Sequence, residues 1–221
     1  MKRIDCFEAI SDSITDELVI TNLANTAIEW RAVRDHEGNL YFVGMGMVTP
    51  YALGLSMALP NRKVIAFDGD GGILFDLSIL GTIAQTAPSN LCIVVLDNEG
   101  YISTGKGKHT SSLSSGIIDI AGVARASGIT NVHEENTVDE YVSVMKNAVE
   151  EDTGPTVIIA KINNEQAFVG TSLMDGKENK YRFVRYIEET ENKIILKPSA
   201  RELSLIHISA PTRLGMLSYA V

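Results

Sequence analysis

The stretch Lys63–Tyr101, KVIAFDGDGGILFDLSILGTIAQTAPSNLCIVVLDNEGY, restricts the possible folds more than any other part of the chain. Val64–Phe67 and Leu91–Leu96 are short apolar runs, rich in β-formers and closed by turn residues. That is the pattern of parallel strands covered on both faces. A single helical stretch between them supplies the right-handed crossover that a parallel pair requires. Two polar clusters, the turn Gly69-Asp70-Gly71-Gly72 and the run Asp97-Asn98-Glu99-Gly100, therefore fall at the carboxyl ends of adjacent strands. Open α/β sheets bind their ligands there.

The residue types at that edge name a chemistry. Gly69, Gly71 and Gly72 let the backbone turn tightly and bring N–H groups close to an anion at a helix start. Asp70 adds a carboxylate where an anion alone would be repelled, which calls for a bridging cation. Asn98 offers an amide oxygen, and the Gly100 carbonyl a third. A small set of oxygens shared with phosphates suits Mg²⁺ better than Zn²⁺ or iron. The edge reads as a Mg²⁺–diphosphate site.

Around this stretch the chain repeats β and α patterns. Residues 4–15 carry Ile4, Phe7, Ile10 and Ile14 at helical spacing. Leu18–Thr21 is strand-like, and Ile28–Val33 reads as a helical turn with the sole tryptophan, Trp30. Asp35–Asn39 reads as a surface turn with His36 in solvent. Leu40–Val43 is a strand running into Gly44-Met45-Gly46-Met47, before a small-residue helix from Tyr51 to Leu59. Beyond Tyr101 the polar, glycine-rich run STGKGKHTSSLSSG carries Lys106, Lys108 and His109. It reads either as a loop that receives an anion, with His109 available for proton transfer, or as an exposed loop with incidental lysines. Ile117–Ser127 is a helix closed by Gly128. Thr137–Glu151 is a helix whose Thr137 and Glu140 form a capping box, and Pro155–Ile162 is a buried strand. Lys180–Ile187 alternates basic with apolar residues as an edge strand would, and Lys193–Ser199 reads as a short strand. The sum is an α/β three-layer sandwich on a doubly wound, mostly parallel sheet of five or six strands.

The 221 residues carry a net charge of −9, which argues against nucleic acid or an anionic membrane as partner. Cys6 and Cys92 are far apart, and no run is apolar enough to span a bilayer, so a reducing cytoplasm is the expected setting. No GxxxxGK[ST] or GxGxxG follows the first strand, which leaves a nucleotide-binding module as the weaker alternative.

GDG, a spacer and then Asn with Gly-Tyr resembles the thiamine-diphosphate motif of the 2-oxoacid decarboxylase superfamily. GMGM, GDGGIL, LDNEGY and STGKGKHT resemble the sulfopyruvate and phosphonopyruvate decarboxylases within it. The resemblance covers residues 1 to about 190. It implies thiamine diphosphate and Mg²⁺ as cofactors, with Asp70, Asn98 and the Gly100 carbonyl on the metal. It implies cofactor contacts from Gly69, Gly71, Gly72 and Tyr101, and from Asn25 or Thr26 at the terminal phosphate. Either of these two is equally an N-cap for the next helix. Met45 is the candidate wedge that bends the cofactor, with the backbone of Gly44 beside it on the pyrimidine; the alternative makes Met45 a core residue. His109 becomes a candidate proton donor or contact for the substrate carboxylate.

The resemblance further implies a pyrimidine-binding domain whose glutamate activates the cofactor. No segment here has room for one, so a separate α subunit is expected, in a hetero-oligomer of αβ pairs acting on a small anionic 2-oxoacid. A non-catalytic homologue that keeps only fold and partner binding is the remaining alternative. Residues 1–190 form the expected cofactor domain and 191–202 an extension. Residues 203–221 form a tail, whose Leu203–Arg213 segment resembles a translated sequencing adapter and is excluded from functional reading.

Overall fold

The computed structural model describes residues 1–101, 110–111, 114–170 and 174–196. His109, Lys106, Lys108 and the expected tail lie outside them. The chain divides into two compact units, Met1–Phe183 and Val184–Val221.

In chain order the first unit contains α1 (Arg3–Ile10), a 3₁₀ turn (Ser11–Ser13), β1 (Leu18–Asn22), α2 (Asn25–Val33), β2 (Asn39–Val43), α3 (Val48–Ala58), β3 (Val64–Gly69), α4 (Asp70–Phe75), α5 (Ile79–Thr86) and β4 (Leu91–Asp97). Next come two-residue strands β5 (Gly100–Tyr101) and β6 (Thr110–Ser111), then α6 (Ile120–Ala126), β7 (Asn131–Glu135), α7 (Val138–Glu150), β8 (Thr156–Lys161) and α8 (Gly176–Thr190), which runs into the second unit. The main sheet has six strands in the order β2-β1-β3-β4-β8-β7, every pair parallel. β3 and β4 are buried from end to end, with only Gly69 partly open, as central strands covered on both faces must be.

The core beneath the sheet joins α1, α2 and α7. Phe7, Trp30 and Phe67 stack edge-on or tilted with centroids 5.0–5.3 Å apart, a favoured aromatic geometry. Cys6 and Cys92 are free and buried. Of the expected capping box of α7 the Thr137 half is present: Thr137 Oγ1 accepts from the Glu140 N–H at 3.3 Å, while the Glu140 carboxylate accepts from the Thr137 hydroxyl at 2.7 Å. Among the described residues no helix is long and apolar enough to cross a membrane.

The order β2-β1-β3 sets the site. After β1 the chain steps to one side to form β2, then returns across β1 to form β3. The carboxyl ends of β1 and β3 thus flank a topological switch point, where a crevice opens. β2 carries an extra residue opposite β1, because Ile20 pairs with Leu40 but Asn22 with Val43. Phe42, the bulged residue, takes φ +59°.

Several sequence expectations need correction. The turn Gly69–Gly72 is instead the end of β3 and the first turn of α4. The single crossover helix is two short ones, α4 and α5. The first helix ends at Ile10, short of residue 15. The sixth starts at Ile120, leaving Ile117 exposed. Lys180–Ile187 is not an edge strand but lies within α8. There Asn179 and Phe183, four apart, are buried while Tyr181 is 50% exposed. A strand would have put Tyr181 and Phe183 on the same face. Residues 193–196 are irregular rather than a strand, and the rest of that run lies outside the described residues. His36 is half-buried, and its Nδ1 accepts from the Gly38 N–H at 3.1 Å.

Candidate active site

The crevice at the switch point encloses about 550 Å³, its open mouth included. It is lined by Arg3, by Asn22–Thr26 after β1, by Met45, by Gly69–Gly72, and by Leu96, Asn98, Gly100 and Tyr101. All the proposed cofactor-binding residues line it except Gly44, which is exposed before α3.

Each wall has a local cause. Ala24 sits at φ +60° and ψ −133° ahead of α2, a conformation costing a non-glycine residue on the order of 1–3 kcal/mol. It turns the chain so that Asn25 and Thr26 begin the helix facing the crevice. Arg3 comes from α1 and is held by a bidentate pair with buried Glu29 (3.0 and 2.8 Å). Sequence reading missed Arg3, because nothing near it in the chain marks a site.

The glycines of α4 are required by space. A Cβ on Gly71 would stand 2.3 Å from the Tyr101 ring and 3.1 Å from Met45 Cε. A Cβ on Gly72 would stand 2.0 Å from Asp68 Oδ1. Gly69 has ordinary clearance, 3.4 Å from the Asn22 amide.

Asp68 itself was not anticipated. Fully buried, it accepts from Asn22 Nδ2 (3.0 Å), the Gly69 N–H (2.9 Å) and Thr49 Oγ1 (3.0 Å). It thereby ties β1, α3 and α4 together beneath the crevice. Burial pushes its carboxyl up to about 6, against the opposing pull of those hydrogen bonds.

At the far wall three acceptor oxygens converge. Asn98 Oδ1 lies 3.0 Å from Asp70 Oδ1 and 3.0 Å from the Gly100 carbonyl, while Asn98 Nδ2 donates to Asn164 Oδ1 at 2.8 Å. Rotating the Asn98 amide would give Asp70 and Gly100 a donor, with the exposed Asn164 amide turning in step to donate to the Asn98 oxygen. With Asn98 Oδ1 turned inward, a cation among the three oxygens satisfies the same groups. Octahedral Mg²⁺ with bonds of about 2.1 Å places adjacent oxygens about 3.0 Å apart, the separation found here. The donor set and its spacing therefore fit a small, hard divalent cation.

Behind this set stands a network that sequence reading also missed. Asp97 is buried and receives Lys161 Nζ (2.7 Å) and the Glu99 N–H (3.0 Å), with Ser114 Oγ 2.9 Å away. Burial disfavours the charge on Lys161, but the hydrogen bond and charge of Asp97 outweigh it and leave the ammonium raised. A charged residue closing an apolar strand, as Asp97 and Lys161 both do, was the available signal. Their pairing across β4 and β8 was not readable from one strand.

Comparison with known proteins agrees with this geometry. Residues 23–160 match the family described as thiamine pyrophosphate enzyme, C-terminal TPP binding domain. The chain is 30% identical over 190 residues to the sulfopyruvate decarboxylase subunit beta of Methanococcus maripaludis, covering 86% of this chain and 99% of that one. It is 32% identical over 188 residues to the subunit of the same name from Methanothermobacter thermautotrophicus, covering 85% and 96%. It is 36% identical over 141 residues to phosphonopyruvate decarboxylase of Streptomyces hygroscopicus, covering 63% of this chain and 34% of that one. Among solved structures, the thiamine diphosphate-dependent 4-hydroxybenzoylformate decarboxylase of Rhodococcus jostii shares the fold with a TM-score of 0.59 and 21% identity, covering 76% of this chain and 33% of that one. This chain thus spans about a third of those last two proteins. It belongs to the thiamine pyrophosphate enzymes, in the family of their C-terminal TPP-binding domain.

Proposed function

We propose that this chain is the β-type subunit of a thiamine-diphosphate- and Mg²⁺-dependent decarboxylase that converts an anionic 2-oxoacid, sulfopyruvate or phosphonopyruvate, to its aldehyde and CO₂. The observation that carries the reading is the set of three oxygens from Asp70, Asn98 and Gly100, placed beside glycines that a side chain could not replace.

In this reading the three oxygens hold Mg²⁺ and Gly69–Gly72 leave room for the diphosphate. Asn25 and Thr26 meet the terminal phosphate at the mouth of the crevice. Met45, packed near Gly71 and Tyr101, supports the cofactor's bend, and the backbone of Gly44 contacts the pyrimidine. Bound thiamine diphosphate supplies the electron sink for loss of CO₂. The protein holds and orients it. His109 is assigned to proton transfer or to the substrate carboxylate, and Lys106 and Lys108 to the substrate anion.

The relatives named as β subunits support a separate partner. The chain spans 99% of a protein named as a β subunit but 34% of a phosphonopyruvate decarboxylase. In this reading a separate α subunit carries the pyrimidine-binding domain, in a hetero-oligomer of αβ pairs. The test is aldehyde formation from each 2-oxoacid with Mg²⁺ and thiamine diphosphate, using this chain alone and together with the product of the neighbouring reading frame. Turnover only in the mixture is expected. No turnover in either arm with either acid contradicts the assignment.

A further inference from the structure

Asp97 is buried next to the three-oxygen set yet contributes none of its oxygens. Its Oδ2 is occupied by Lys161, its register neighbour on β8, at 2.7 Å. Its Oδ1 accepts from the Glu99 N–H at 3.0 Å and lies 2.9 Å from Ser114 Oγ. The same Ser114 Oγ stands 3.2 Å from Asp70 Oδ2. One buried hydroxyl is therefore wedged between two carboxylates.

A serine hydroxyl has a single proton and donates to one acceptor at a time. Asp97 already receives an ammonium and an amide N–H, and the ammonium bond is of the stronger, charge-assisted kind. Both bonds draw on the charge of Asp97 and so shift the serine proton toward Asp70, 3.2 Å away. A bond to Asp70 Oδ2 fixes the plane of the carboxylate, and so aims Oδ1 at Asn98 and Gly100. We propose that Lys161, Asp97 and Ser114 form a positioning chain for the cation: Lys161 draws on the charge of Asp97, Asp97 so paired competes less for the Ser114 proton, and Ser114 orients Asp70. The inference rests on the cation site proposed above and adds Lys161 and Ser114, which no motif around Asp70 or Asn98 includes.

Outer partners of a ligating carboxylate typically change metal affinity by about 10- to 100-fold. The experiment titrates the full chain, together with its partner subunit and thiamine diphosphate, with Mn²⁺ as a paramagnetic stand-in for Mg²⁺, and reads free Mn²⁺ by EPR. Ser114→Ala should weaken Mn²⁺ binding by about 10- to 100-fold while the melting temperature stays near that of the wild type. Ser114→Thr keeps a hydroxyl and should restore the affinity, which a purely structural role for the side chain would not predict. Lys161→Met leaves Asp97 to compete for the serine proton and should weaken Mn²⁺ in the same direction; it carries the test if Ser114→Ala does not fold. Wild-type affinity in both Ser114→Ala and Lys161→Met overturns the positioning chain alone. A wild-type complex with its partner that takes up no Mn²⁺ overturns the proposed function as well.

Discussion

Asp70 Oδ1 and Asn98 Oδ1, two acceptors from neighbouring strand ends, face each other 3.0 Å apart. Two acceptors tolerate that separation when a cation sits between them, and it matches one edge of a Mg²⁺ octahedron of about 2.1 Å bonds. Asn98→Leu removes one oxygen and leaves the other two. Mg²⁺ affinity should fall at least as far as in the outer-shell variants, about 10- to 100-fold, with the far-UV spectrum unchanged. Isothermal titration with Mg²⁺ in the presence of thiamine diphosphate reads the loss.

Glycine substitutions should separate by site. In Gly72→Ala the new methyl would lie 2.0 Å from Asp68 Oδ1, a buried atom bonded on two sides. Overpacking of this kind costs typically 1–3 kcal/mol, read as a lower denaturant midpoint. Gly81, in α5, has nothing within 4 Å of an added Cβ. Gly81→Ala should instead stabilise the chain by about 0.5–1 kcal/mol, the helix preference of alanine over glycine.

Asp68 should tolerate amidation better than truncation. In Asp68→Asn the retained oxygen still accepts from Asn22 and Gly69, and the new Nδ2 meets a Thr49 hydroxyl able to turn and accept. Asp68→Ala strands three buried donors, at about 1–3 kcal/mol for each group left unsatisfied. Thermal melts of the two variants should rank Asn well above Ala.

A pH effect follows from His36. Burial, with Arg34 and Arg182 nearby, holds its pKa below the usual histidine value, and its Nδ1 must stay unprotonated to accept from Gly38. The unfolded chain therefore takes up this proton more readily than the folded chain. The contribution is fully present above pH 6.5, the unfolded value, and is lost as pH falls through the lower folded value. His36→Asn should flatten the stability profile in that window, measured by urea unfolding at a series of pH values.

Strand positions were legible because β3 and β4 are continuous apolar runs with turn residues at their ends, a signal that burial on both faces makes strong. The meeting of Asp70, Asn98 and Gly100 was legible because two adjacent strand ends are close in sequence, separated only by one crossover. Lys180–Ile187 misled because basic and apolar residues alternate locally, whereas the contacts that decide the element come every fourth residue: Asn179 Nδ2 donates to the Tyr41 carbonyl at 2.8 Å and Phe183 is buried. The positioning chain was illegible for a different reason. Lys161, Asp97 and Ser114 meet only after β8 is placed beside β4, and a single sequence does not give the order of strands.

The central claim is that Asp70, Asn98 and Gly100 hold a metal that bridges the protein to thiamine diphosphate. Its most direct test is calorimetric titration of thiamine diphosphate into the full chain, together with its partner subunit, with Mg²⁺ and with EDTA, for the wild type and Asp70→Ala. Binding should appear only in the wild type with Mg²⁺ and vanish in Asp70→Ala under every condition. Equal binding by Asp70→Ala, or wild-type binding that EDTA leaves unchanged, would contradict it.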